Sequence, residues 1–282
     1  MENILIPVDL SEDSRNAVHY AAALSRQYKA KRITLVYANY ISIFEEVLFS
    51  PDFVQLNEDE IASKRRLIDA ELLQLVKDVK PFISPDTEVD FFVSDEPLLR
   101  SIITGISRFN ADLLVINSDS IDKTEESFVG LNAIRIGRAS SVPVIVVPPR
   151  AVFRVVKSAV IAADLAHLPD HSIVPAVNNI FPQLPQNVLV LNIDPSEKHL
   201  NPDDKFTEAG KCLANMMEGL PYDIYYDTDS DIINGILKFT KQNQAQMIIA
   251  LPRKYSFLRS LTEASITEGL AVNTTLPVLL LK

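Results

Sequence analysis

The chain contains an internal repeat, and this repeat limits the folds that it can adopt. Residues 88–117 align on residues 221–250 at a constant offset and without a gap. The segments that follow them, residues 140–147 and 273–281, align on a shared proline. The sequence therefore predicts two copies of one domain architecture.

Each copy alternates apolar strands with amphipathic helices. Leu113–Ile116 and Val144–Val147 are continuous apolar runs, which suit strands covered on both faces, although a short buried helix can have the same pattern. Strands that alternate with helices of about ten or more residues indicate right-handed βαβ crossovers and a mostly parallel sheet. The predicted fold class is α/β, with two tandem domains (1–150 and 151–282) that each hold a five-stranded, mostly parallel sheet flanked by helices.

The strands and helices can be placed along the chain. Further strands are expected at Asn3–Val8, Arg32–Ala38, Glu88–Val93, Ser158–Ala163, Asn187–Asn192, Tyr222–Tyr226 and Val278–Leu281. Helices are expected from an N-cap at Ser11 to Ala30, before Pro81, and near 96–109, 171–180, 206–220 and 232–240. Asp95 is expected to cap the helix over 96–109, with Ile103 among its inward residues. Residues 41–57 are an irregular apolar and acidic segment, interpreted as a flap or a contact surface.

The composition restricts the partners of the chain. Its net charge is −10 without a basic stripe, which argues against nucleic acid and anionic membrane partners. No apolar run reaches the roughly 18 residues of a membrane span, and no secretory signal is visible. The single cysteine, Cys212, excludes an intramolecular disulfide and is expected to pack in the core. A cytoplasmic location is therefore expected.

The residues give little support to catalysis. The histidines are His19, His167, His171 and His199. His167 and His171 have the spacing of paired metal ligands, but Pro169 between them favours an ordinary loop and N-cap over a zinc site. The motifs GxSxG, HExxH and CxxC are absent, and the seven glycines form no phosphate-binding loop. We expect neither an enzyme nor a metal site.

Three features of the chain are shared with a known family: the five-strand plan, the opening segment IPVDLSEDSRNAVHYAAAL and the closing strand VPVIVV. On these features the chain resembles the universal stress protein domain, here in tandem and over nearly its whole length. The resemblance implies flavodoxin-like (Rossmann-like) sheets that pair through their last strands, Val144–Val147 and Val278–Leu281, as an internal pseudo-dimer. It also implies that ATP or AMP could bind through a G-x2-G-x9-G-[ST] signature after the fourth strand, helped by the aspartate that ends the first strand.

The first copy retains this nucleotide signature only in part. The spacing places Asn117, Ser120, Gly130 and Leu131 at the signature positions, so two of three glycines and the terminal hydroxyl are lost. A Cβ in place of glycine keeps the backbone away from a phosphate, and the acidic residues of this loop would repel a triphosphate. The first copy is therefore the weaker candidate for a nucleotide.

The second copy keeps the hydroxyl but none of the glycines. Its signature positions are Leu251, Lys254, Ala264 and Ser265, and two arginines make the loop basic. If a nucleotide binds, we expect Lys254 and Ser265 to contact it. The alternative is that the basic side chains are solvated surface charges.

Asp9 and Asp164 match the aspartate of the family in the two copies. Each either contacts a nucleotide, as the resemblance implies, or caps the following helix and satisfies turn amides without a ligand. The sequence leaves both roles open.

The preferred hypothesis is a non-catalytic binding or interaction module in the stress response, with its nucleotide signature eroded and no certain cofactor. The alternative is an adenine-nucleotide sensor or weak ATPase that binds ATP or AMP, with magnesium, in the second copy. A different small ligand is a third hypothesis, because one fold serves many functions. Beyond the internal pairing, both a homodimer and an unidentified protein partner are left open.

Overall fold

The computed structural model describes residues 2–40, 58–118, 132–169, 171–181, 187–251 and 274–282. Its strands are β1 (Asn3–Val8), β2 (Arg32–Ala38), β3 (Glu88–Ser94), β4 (Leu113–Asn117), β5 (Val144–Val147), β6 (Ser158–Ala162), β7 (Asn187–Ile193), β8 (Asp223–Asp227), β9 (Met247–Ala250) and β10 (Val278–Leu280). Its α-helices are α1 (Glu12–Tyr28), α2 (Glu58–Val79), α3 (Leu98–Arg108), α4 (Ala133–Ala139), α5 (Val174–Ile180), α6 (Asp204–Met216) and α7 (Ile232–Gln242). The strand ends lie within one residue of the predicted ends, because continuous apolar runs mark buried parallel strands clearly.

The strands form one sheet of ten, in the order β3-β2-β1-β4-β5-β10-β9-β6-β7-β8. Neighbouring strands within each half are parallel, and the two halves meet at the antiparallel pair β5–β10. In this pair Leu279 lies opposite Ile145, and both side chains are fully buried. The closing strands therefore pair as predicted, and the sheet runs through both copies without a break.

The first helix shows how local sequence sets an element. Ser11 has extended backbone angles, and its Oγ accepts a hydrogen bond from the Ser14 N–H, which satisfies one free donor of the first turn. Alanine, valine and leucine side chains at helical spacing form the face that packs on the sheet. Lys29 adopts a left-handed conformation with φ 52°, so the helix ends at Tyr28, slightly before the predicted Ala30.

The two copies share one hydrophobic core on one face of the sheet. That core contains Ile4 and Ile33 from the first copy with Ile161 and Phe181 from the second. The rings of Tyr28 and Phe181 meet edge to face, with centroids 5.2 Å apart. The opposite face has a separate cluster in each half. The shared core thus joins the halves on one face, and on the opposite face Leu280 packs against the clusters of both halves.

Direct hydrogen bonds also join the first copy to the segment that precedes β6. Gln27 binds both backbone groups of Val156: its Oε1 accepts from the Val156 N–H at 3.2 Å, and its Nε2 donates to the carbonyl at 3.4 Å. Gly137 of α4 permits close packing on β10, because a Cβ there would lie 3.1 Å from the Leu280 side chain. The domain boundary after residue 150 stays a prediction.

Two predictions about α3 are wrong. The helix begins at Leu98, and Asp95 does not cap it but pairs with Arg65 at 3.4 Å. Ile103 is 46% exposed, because Ile102 and Ile106 face the sheet and the next residue along a helix turns about 100° away from that face. Pro97 fits just before the first turn, where its missing N–H costs no helical bond.

Two helices of the second copy have shifted bounds. The helix expected near 171–180 begins at Val174, after a short 3-10 turn over Leu165–His167. The helix expected over 206–220 covers Asp204–Met216, because Asp203 caps it and accepts from the Phe206 N–H at 2.8 Å. The proposed flap, residues 41–57, lies outside the described residues.

Candidate ligand site at the carboxyl ends of the strands

Ligands of open parallel sheets bind beyond the carboxyl ends of the strands, and Asp9 lies there, directly after β1. Its Oδ1 accepts hydrogen bonds from the N–H of Ser11 at 3.1 Å and from the Ser11 Oγ at 2.6 Å. The same serine caps α1. Asp9 therefore orders the turn between β1 and α1, which is the role that the sequence offered as the alternative to nucleotide contact.

Asp164 takes the equivalent place after β6. Its Oδ1 accepts from the Ala166 N–H at 3.1 Å, and its Oδ2 lies 3.0 Å from the Nδ1 of His167. The His167 side chain is 63% exposed, so Asp164 fixes its ring while the other ring edge faces solvent. Both predicted aspartates thus have the same structural role: each bonds to the turn that follows it.

Asn117 ends β4, which pairs with β1, so the fold brings Asn117 and Asp9 to the same end of neighbouring strands. Asn117 is buried, and the adjacent Ser118 is held by a hydrogen bond from its N–H to the carbonyl of Val147. Among the described residues the buried Ser118 hydroxyl has no hydrogen-bond partner. The remaining predicted residues of this copy, Ser120 and Gly130, lie outside the described part of the chain.

In the second copy β9 lies beside β6, with Ala250 opposite Ala162. The start of the predicted loop, Leu251, is therefore next to the strand that carries Asp164. The structure does not describe residues 252–273, which include Lys254 and Ser265, so the predicted basic contacts cannot be placed against Asp164. They stay predictions.

The structure adds a cluster that the sequence did not indicate. Asp194 follows β7, and its Oδ2 accepts from the His199 backbone N–H at 2.9 Å and lies 2.8 Å from the His199 Nδ1. The His199 ring stacks on Tyr226 with a centroid distance of 4.6 Å and an interplanar angle of 3°. The aspartate side chain is 8% exposed and the histidine side chain 17%. The turn after β7 is thus fixed by a buried polar pair and an aromatic stack.

The protonation of Asp194 follows from these contacts. Burial opposes its charge and raises the pKa of the carboxyl. Hydrogen bonds from the side chain and backbone of His199, its electrostatic attraction and a backbone bond from Ser196 outweigh burial, and they hold the pKa of Asp194 below its ordinary value. The carboxylate is charged at neutral pH, so the His199 Nδ1 must be the donor. In the sequence, the signal for this turn was an aspartate at the end of a strand, followed by proline and serine.

The imidazoles of His167 and His199 are each held by an aspartate, at 3.0 and 2.8 Å, and neither bonds to a serine or cysteine in the described structure. Across the described ranges no group of three or more histidine, cysteine, aspartate or glutamate side chains could hold a metal ion. Cys212 is half-buried and packs against the core. None of the described helices combines the length and the apolar character that crossing a membrane requires.

Comparison with known proteins gives a family and a fold. The model of the universal stress protein family matches residues 1–148. No curated protein shows significant similarity to the chain.

Three solved structures are similar over both copies. A universal stress protein from Archaeoglobus fulgidus has a TM-score of 0.65 at 15% identity, covering 99% of this chain and 96% of its own. A putative universal stress protein from Pseudomonas aeruginosa has a TM-score of 0.57 at 13% identity, with coverages of 100% and 93%. A functionally unknown protein from Pseudomonas aeruginosa has a TM-score of 0.56 at 13% identity, with coverages of 100% and 92%. At these identities the likeness shows the fold alone.

Proposed function

Because this chain belongs to the universal stress protein family, we propose that it is a non-catalytic binding module of the stress response. Its two halves act together as an internal pseudo-dimer through β5 and β10. We expect no enzymatic activity and no resident metal. The single cysteine, Cys212, suits a reducing compartment, and we propose that the module works in the cytoplasm.

One observation carries the proposal: the aspartate expected to contact a nucleotide bonds to its own turn in both copies. Asp9 holds Ser11, and Asp164 holds Ala166 and His167. A carboxylate that already accepts such bonds supports the fold without a ligand. The loss of the signature glycines supports the same conclusion, because close approach of a backbone to phosphate needs residues without a Cβ.

The test is a calorimetric titration of the nucleotide-stripped chain with ATP and AMP, with and without magnesium. We expect no heat of binding and no thermal shift at millimolar nucleotide. Release of phosphate from ATP should equal that of buffer. Binding of one nucleotide per chain would overturn the proposal in favour of an adenine-nucleotide sensor.

Two variants would then locate the nucleotide. Lys254→Glu should abolish binding in the second copy, whereas Lys241→Glu makes the same charge change on the described helix α7 and should not. Asp9→Ala in the first copy should leave binding intact. Equal loss from Lys254→Glu and Asp9→Ala would contradict a single site. Light scattering on the same samples decides between a monomer with internal pairing and a homodimer.

A further inference from the structure

The last strand of the sheet offers an unpaired edge. In the strand order β8 stands at one end, and β7 is its neighbour among the described strands. An edge strand presents backbone N–H and C=O groups that can bind another extended chain. The edge of β8 is therefore a place where a partner strand can add to the sheet.

The hydrogen bonds identify which residues face outward. The carbonyl of Asp227 accepts from the Asp194 N–H at 2.7 Å, so the backbone groups of Asp227 point towards β7. In a parallel ladder this direction alternates along the strand. Tyr225 thus also faces β7, while Ile224 and Tyr226 direct their N–H and C=O groups to the free edge.

The side chains of β8 leave this edge open and make it acidic. Ile224 and Tyr225 are each 37% exposed. Asp223 and Asp227 flank them, on the same face of the strand as Tyr225, and neither has a cationic partner among the described residues. The strand contains no lysine, no proline and no bulge, which are common means of blocking an edge.

The opposite edge of the sheet, β3, is different. There Arg32 pairs with Glu88 at 2.8 Å, and the guanidinium of Arg108 lies over the ring of Phe92 at 4.5 Å. Cations thus neutralise the acidic side chain and cover the aromatic ring. Arg32 lies near both carboxylates of β3, Glu88 and Asp90, whereas no described cation pairs with the carboxylates of β8.

The charges of β8 also decide against its self-association. A second copy that paired antiparallel about Tyr225 would place Asp223 opposite Asp227 twice, and like charges opposite each other destabilise strand pairs. A strand with lysine or arginine at these two positions and an apolar residue between them would instead gain two opposite-charge pairs.

We infer that the β8 edge binds an extended basic segment of a partner protein, which adds as a strand with cations opposite Asp223 and Asp227. This inference rests on the proposed binding function and names its partner class. The test of this inference uses peptides and no nucleotide, so its result is independent of the nucleotide titration. If the peptides do not bind and the titration shows no nucleotide binding either, the proposed binding module would act through another surface.

The test is fluorescence anisotropy of the full chain with two labelled peptides, Thr-Lys-Val-Phe-Val-Lys-Thr and the same peptide with glutamate at both lysine positions. We expect saturable binding of the basic peptide and binding of the acidic one weaker by about tenfold or more. The double variant Asp223→Lys/Asp227→Lys should reverse this preference. The double variant Asp78→Lys/Asp86→Lys makes the same charge change at exposed sites of the first copy and should preserve it.

A second variant tests the backbone pairing. Ile224→Pro removes an outward N–H without removing a bond to β7, so the variant should keep the circular dichroism spectrum of the parent. It should no longer bind either peptide. Unchanged binding by Ile224→Pro would show that charge alone holds the peptide, and this would overturn strand addition. Failure of the basic peptide to bind the parent chain, or equal binding of both peptides, would overturn the inference as well.

Discussion

His199 and Asp194 form a polar pair at the end of β7, in which the Nδ1 of His199 lies 2.8 Å from the Oδ2 of Asp194. The same carboxylate oxygen accepts the backbone N–H of His199, so one residue closes the turn through two bonds. The stack on Tyr226 ties this turn to β8. The pair thus holds the loop after β7 against the carboxyl end of β8.

Asp194→Asn should lower the free energy of unfolding at pH 7 by about 1–2 kcal/mol, since it removes charge-assisted hydrogen bonds from a buried site. Because the pKa of Asp194 is lowered in the folded chain, its contribution is complete above the pKa of the unfolded chain. It is lost as the pH falls through the lower, folded pKa. Urea unfolding should therefore show a constant difference in unfolding free energy between the parent and Asp194→Asn from pH 7 to about pH 5. This difference should become smaller below about pH 4.

The control for this prediction is His199→Phe, which keeps an aromatic ring for Tyr226 but has no Nδ1. The variant His199→Phe removes the bond at Nδ1 but keeps the backbone bond of residue 199 to Asp194, so it should lose less free energy of unfolding than Asp194→Asn. The double variant should lose less than the sum of the two single variants, because both act on the bond at Nδ1. Additive losses would contradict the pair.

Asp9→Ala should cost about 1 kcal/mol of unfolding free energy, because Ser11 loses its acceptor at the start of α1. Asp9→Asn keeps an oxygen at the same place and should cost clearly less. Both variants are compared by urea unfolding at pH 7. Equal losses from alanine and asparagine would show that the negative charge matters more than the acceptor.

The strands were predictable because burial on both faces leaves a direct mark in the sequence. Val144–Val147 has the continuous apolar pattern that is typical of a buried strand, and the repeat then predicts the same role for Val278–Leu281. The pairing of these strands came from the family resemblance, and the structure adds that it is antiparallel. Apolar character alone was misleading at Ile103, since Ile102 and Ile106 form the inward face and the residue after Ile102 turns away from it.

The candidate site was predictable only where the repeat marks a position. Asp9 and Asp164 stand at matching strand ends, but their partners depend on turn geometry that no spacing encodes. The pair of Asp194 and His199 spans an irregular turn, so it leaves no periodic signal. The same limit applies to the open edge at β8, because the sequence does not give the order of strands in a sheet.

Leu279→Ala should destabilise both copies together. Leu279 is fully buried at the antiparallel junction and belongs to the core that both halves share. The truncation should cost about 2–5 kcal/mol, and differential scanning calorimetry should show a single transition that moves as a whole.

The control is Leu200→Ala, at a side chain that is 63% exposed. This variant should change the free energy of unfolding by less than about 0.5 kcal/mol. Two transitions, of which only one responds to Leu279→Ala, would mean that the copies unfold separately and would contradict a structural role for the pairing of β5 and β10.

Two glycines inside helices should respond to alanine in opposite ways. A Cβ at Gly210 of α6 would meet no atom within 4 Å, so Gly210→Ala should stabilise the chain by about 0.5–1 kcal/mol through helix propensity. A Cβ at Gly235 of α7 would lie 2.9 Å from the Ile193 side chain and 3.1 Å from the Asp229 Cβ. Because these neighbours must move, Gly235→Ala should not be stabilised by its helix propensity. Its free energy of unfolding in urea should be lower than that of Gly210→Ala by about 1–3 kcal/mol. Equal stabilisation by both would show that α7 can shift away from β7 at little cost.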